Sequence, residues 1–216
     1  PVEDDPDLRD RLKAAAQADR VAREISELTE RVERRGSSVL RQFHRVLDVL
    51  RGRGFVEGWS LTADGERLAR TFHESDLLIA ESLRAGLFDG LDPATLAGLA
   101  SVFVYEHRSP EPPAAPWFPS RAVRHRFERI AAISRELQAE EEALGITPHR
   151  TPDPTFLAVA FAWAAGEGFA EVVAEEEMSG GDFIRTVRQL IDLLRQFESV
   201  GPTAGLRRAA AAAGEA

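Results

Sequence analysis

Apolar positions along this chain fall into blocks with helical spacing, and the first block is narrow. From Asp7 to about Arg35, Leu8, Leu12, Ala15, Val21, Ile25, Leu28 and Val32 recur among charged residues at intervals of three and four, with one longer step after Ala15. Such a stripe is wide enough for one partner helix. It predicts a stalk-like, coiled-coil helix over residues 1–36, whose partner is absent from the chain, is the rest of the domain, or is a second copy. Gly36 closes this helix and Ser37 or Ser38 can cap the next. There Val39, Leu40, Phe43, Val46, Leu47 and Leu50 form a wider apolar face, ended by Gly52 and Gly54. Phe55–Val56 and Ser60–Leu61 flank Gly58 and predict a short β-hairpin, followed by a helix that starts at Thr62 or Asp64.

Beyond Thr71 the strand signal vanishes. Ser75 caps a segment carrying Leu77, Leu78, Leu83 and Leu87. Asp92 before Pro93 starts a helix with Leu96, Leu99, Val102, Phe103 and Tyr105, since proline suits the first helical position and aspartate caps it. The run RSPEPPAAPWFPS, residues 108–120, admits neither helix nor central strand. A long helix from Ser120 to about Leu144 buries Val123, Phe127, Ile130, Ile133 or Ser134, and Leu137. After Pro148, Pro152 and Pro154 come Phe156, Leu157, Phe161 and Trp163, then Gly166 and Gly168, then Phe169, Val172 and Val173. Trp163 and Phe169 share this spacing, which marks them as core anchors more than stacking platforms. The fold class is all-α: a helical bundle over 73–202, a small hairpin-bearing remnant over 37–72, the stalk-like helix over 1–36, and an Ala-rich tail over 203–216.

Composition narrows the chemistry. The 216 residues contain no cysteine, so disulfides, thiolate metal sites and cysteine nucleophiles are excluded. With no run apolar enough for a membrane span and no leader pattern, the expected setting is cytoplasmic. Nearly all positive charge is arginine, Lys13 being the only lysine, which fits a GC-rich bacterial gene. A formal net charge of -9 argues against a free-standing binder of duplex nucleic acid. No phosphate-binding G-x-x-x-x-G-K-[ST] loop is present, so the chain on its own should be catalytically inactive, with no cofactor of its own.

His44, His73, His107, His125 and His149 lack metal-ligand spacing. Asp4–Asp5, Glu140–Glu142 and Glu175–Glu177 read as solvated runs, because adjacent helical residues do not face one another. No catalytic or metal-binding residues are assigned.

The stretch GDFIRTVRQLIDLLRQF, Gly181 to Phe197, is different. Phe183, Ile184, Val187, Leu190, Ile191, Leu194 and Phe197 follow a buried helical face, Asp182 can cap, and Gly201–Pro202 stop the helix. Opposite them Arg185, Gln189, Asp192 and Gln196 make one polar line, flanked by Arg188 and Arg195. Two readings of that line stand. In one, Arg188 pairs with Asp192 and Asp192 with Arg195, each pair contributing about 0.2–0.5 kcal/mol. In the other the line faces a groove where guanidinium and amide groups stack on bases or bind phosphate.

Four blocks in order carry a family resemblance: LTADGERLAR (Leu61–Arg70), DLLIAESLRAGLFDGLDPATLAGLASVFVYE (Asp76–Glu106), WAAGEGFAEV (Trp163–Val172) and GDFIRTVRQLIDLLRQ (Gly181–Gln196). The chain resembles the C-terminal DSHCT region of superkiller-type DExH-box RNA helicases, above all the bacterial HelY-type branch. The resemblance implies a bundle that packs on two RecA-like motor domains of the same protein, which supply ATP and Mg chemistry, and that walls the channel taking single-stranded RNA. It implies a winged-helix remnant at 37–72 and makes residues 6–35 the returning half of a helical stalk. It also implies nucleic-acid contact by Arg185, Arg188, Gln189 and Asp192. Rival expectations are a helical protein-interaction module that touches no nucleic acid, and a winged-helix DNA-binding regulator dimerising through its first helix.

Overall fold

The computed structural model describes residues 17, 20–21, 23–25, 39–108, 112–113, 115–168 and 179–215, which divide into two compact units at Asp48. In the first unit the described residues, including 39–48, are helical. Of the predicted stalk stripe, Leu8, Leu12, Ala15, Leu28 and Val32 lie outside the described residues, while Val21 and Ile25 are exposed. Val39, Leu40, Phe43 and Val46 are exposed as well, and Leu47 is buried.

The second unit is mostly helical, with a two-stranded antiparallel hairpin near its start. Strand β1 (Val56–Glu57) pairs with β2 (Ser60–Leu61), Val56 opposite Leu61 and Glu57 opposite Ser60. The turn relies on Gly58 at φ 61°, a conformation that side chains other than glycine resist. Thr62 then does two things. Its hydroxyl donates to the Gly54 carbonyl at 2.9 Å, its Oγ1 accepts the Gly65 N–H at 3.1 Å, and so it caps α1 (Ala63–Leu68). Gly65 itself lies so close to the hairpin that a Cβ there would sit 2.0 Å from the Phe55 carbonyl oxygen. The sequence run L-T-x-x-G is therefore a hairpin-to-helix joint.

Helices α2 (Asp76–Arg84), α3 (Pro93–Ala100), α4 (Arg121–Ala143), α5 (Leu157–Ala164), α6 (Gly180–Val200) and α7 (Ala204–Gly214) build the bundle. Helix α3 is its centre: Thr95 to Ala100 are all buried, and the helix packs on α5, α6 and α7. A helix apolar on every side belongs in the middle of a domain. Asp92 starts it, its carboxylate accepting both the backbone N–H (3.0 Å) and the hydroxyl (2.6 Å) of Thr95. Burial opposes the charge on Asp92, but those donors outweigh it and hold the carboxyl below the usual range. Phe88 joins layers by meeting the rings of Phe103 and Phe197 at 6.2 and 5.0 Å between centroids. Ile130, Leu137, Phe156 and Leu190 complete the fully buried interior.

In the Ala-rich stretch, whose composition alone leaves helix or frayed chain open, Thr203 caps α7 and Leu206, Ala210 and Ala213 are buried against the bundle. Alanine adds little to a hydrophobic pattern, but at this spacing its small side chain lets two helices approach closely. Asp182 was expected to cap the 181–197 helix, whereas Ser179 does so: its Oγ accepts the Asp182 N–H at 3.1 Å and donates to the Asp182 carboxylate at 2.7 Å. Gly180 and Gly181 thus lie inside the first turn.

Candidate nucleic-acid interface

Helix α6 is held in the core by Phe183, Thr186, Val187, Leu190, Leu193, Leu194, Phe197 and Val200. Ile184, expected among them, is instead 49% exposed, because the buried arc is centred one position further round, on Leu190. Across the helix Arg185, Arg188, Gln189 and Asp192 are all exposed and share one face, with Arg195 beside them. The structure thus brings the four anticipated residues together on a single edge.

Their pairing differs from the simple ladder. Arg185 reaches back to Asp182 at 2.7 Å, and Arg195 reaches Asp192 at 3.5 Å. The Arg188–Asp192 pair is not formed, and among the described residues neither Arg188 nor Gln189 has a side-chain hydrogen bond or ion pair. Gln196, at the C-terminal end of the polar line, is engaged within the chain. Its Oε1 accepts the Phe72 N–H at 2.7 Å and its Nε2 donates to the Phe72 carbonyl at 3.4 Å. That reciprocal pair fastens the segment between α1 and α2 to the side of α6.

Other chemistry gathers where the loop after α4 returns to the bundle. His149 Nδ1 lies 2.9 Å from a Glu141 carboxylate oxygen and its Nε2 lies 3.0 Å from Ser134 Oγ. No sequence spacing suggested a serine, histidine and carboxylate in line. The arrangement has the distances of a hydrolytic triad, but Ser134 is fully buried within α4. Its hydroxyl has no access to a substrate, so the three residues act as a clamp on the loop. Arg150 completes that clamp, donating to the Tyr105 and Phe103 carbonyls and pairing with Glu74 at 3.0 Å. Nearby, burial pushes the His73 imidazole below its ordinary value; Glu74 counters this and Arg150 reinforces it. Burial likewise lifts the Asp76 carboxyl, against the Leu77 N–H and with help from Glu141. Among the described residues no group of three or more His, Cys, Asp or Glu side chains is placed to hold a metal ion. Trp163 is half-buried against the core, and Phe169 lies outside the described residues.

The DSHCT (NUC185) domain matches residues 58–216, from the hairpin turn through α7. The chain belongs to the DSHCT family. Similar proteins include the probable helicase HelY of Mycobacterium tuberculosis strain H37Rv, 36% identical across 97% of this chain and 25% of that protein. The probable helicase HelY of Mycobacterium leprae is 35% identical across 95% of the chain and 24% of that protein. The human exosome RNA helicase MTR4 is 31% identical across 68% of the chain and 14% of its own length. This DSHCT chain thus spans about a quarter of the length of the HelY proteins. None of its described helices is long and apolar enough to cross a membrane. It is a helicase-related domain whose relatives carry it inside much longer proteins.

Proposed function

We propose that this DSHCT domain is the accessory C-terminal bundle of an ATP-dependent RNA helicase and that the exposed edge of α6 lines the path of single-stranded RNA. The observation that carries the reading is the pair Arg188 and Gln189, exposed and, among the described residues, without a side-chain hydrogen bond or ion pair, on a helix whose opposite face is locked into the core. Their donors can meet an outside acceptor without first giving up an internal bond. Arg188 offers a planar fork that suits phosphate or stacks on a base, Gln189 offers donor and acceptor together, and Arg185 and Asp192 bound the strip. ATP and Mg would be held by RecA-like motor domains of the same protein, which also supply most phosphate contacts, in a cytoplasmic setting. A local strip suffices on this view, so the acidic net charge is no obstacle.

The test uses the full-length, motor-bearing protein. Arg188→Ala with Gln189→Ala should leave folding within about 0.5 kcal/mol, since both side chains are exposed, while slowing RNA unwinding and lowering crosslinking of RNA to α6. Wild-type unwinding in that double variant overturns the reading.

A further inference from the structure

Phe72 presents its ring to solvent, 79% exposed, on a backbone that is held from several sides. Gln196 grips its N–H and carbonyl. On one side the buried Thr71 donates its hydroxyl to the Arg67 carbonyl at 3.1 Å. On the other, the Ser75 N–H donates to His73 Nδ1 at 3.0 Å. An exposed phenylalanine adds nothing to the core. What the pinned backbone does confer is a flat apolar surface with only two side-chain torsions left to settle on contact.

Its position gives that surface a use. Gln196 is one turn from Asp192, two from Gln189 and three from Arg185, so Phe72 stands at the end of the exposed edge of α6. From Arg185 to Gln196 the helix rises about 16 Å, long enough for a short run of nucleotides. We infer that Phe72 is a stacking platform on which an unpaired nucleobase rests where a single strand leaves the polar edge of α6. The inference rests on the channel reading above. Arginine and glutamine hold backbone and base edges, while the ring takes a base face, a contact that every base can make.

Fluorescence of a base analogue reads this contact directly. Single-stranded oligoribonucleotides carrying one 2-aminopurine at successive positions are bound to the full-length protein with a non-hydrolysable ATP analogue, which holds one register. Wild type should quench the probe strongly at one position. Phe72→Trp should keep that quenching. Phe72→Leu, which retains apolar bulk without a ring, and Phe72→Ala should abolish it and weaken RNA binding roughly tenfold. If Phe72→Leu quenches and binds like wild type, the ring serves packing against another part of the protein and the inference falls. The Arg188→Ala, Gln189→Ala variant separates the two claims. Should it weaken RNA binding while the Phe72 variants do not, only the stacking platform is lost. If it binds RNA as wild type does, the channel reading fails and the platform with it.

Discussion

At the scale of single residues, His73 makes the sharpest prediction. Its Nδ1 accepts the Ser75 N–H at 3.0 Å, which a protonated imidazole cannot do, and burial depresses its pKa below the ordinary 6.5. The folded chain therefore binds fewer protons here than the unfolded chain, so this contribution to stability is present above about pH 6.5 and is lost as pH falls toward the folded pKa. Asp76 is shifted upward and acts in the opposite sense, in a lower window starting from 3.8. Thermal unfolding at pH 7.5 and 5.5 should show wild type losing more melting temperature than His73→Asn, which keeps an acceptor but does not titrate. Equal losses refute the assignment. The residues of the candidate interface were legible in the sequence because exposure on an amphipathic helix follows from spacing alone. Gln196 and Phe72 were not. Their bond spans 124 positions, and a lone aromatic in a connection has no period to betray it.

At the scale of elements, what pattern reading finds is apolar contrast, and it falters where contact depends on smallness. The limits of α4 and the end of α6 were readable from Ser120, Gly201 and the apolar rows between them, whereas the start of α6 at Ser179 was not. Helix α7 was not, since alanines at 210 and 213 look the same whether buried or free. Glycine has the same ambiguity, and the structure resolves it. A Cβ at Gly65 would collide with the Phe55 carbonyl, whereas one at Gly205 would meet nothing within 4 Å. Gly65→Ala should cost about 1–3 kcal/mol by parting the hairpin from α1. Gly205→Ala, in the first turn of α7, should be neutral or stabilise by up to about 1 kcal/mol. Urea unfolding of the two variants checks both signs, and a harmless Gly65→Ala would contradict the joint described here.

For the whole molecule, charge sets the expectation. The chain carries a formal net charge of -9, so any nucleic-acid contact must be local and few-membered. Each phosphate neutralised on a single strand contributes a slope of about -0.7 in the logarithmic salt dependence of binding. Replacing Arg185 and Arg188 together in the full-length protein should therefore flatten that slope by about 1.4, measured by titrating RNA across a range of salt concentrations. An unchanged slope would mean that neither arginine meets a phosphate. Membership in the DSHCT family was readable from four ordered blocks, because a bundle built on caps, glycine contacts and one amphipathic helix leaves those marks in a single sequence. The arrangement of Ser134, His149 and Glu141 left no such mark, and it carries a lesson for interpreting folds. Their interatomic spacings would satisfy a template for esterases, yet Ser134 lies on the one face of its helix that is turned into the core, so a phosphonylating reagent such as a fluorophosphonate would leave the protein unlabelled.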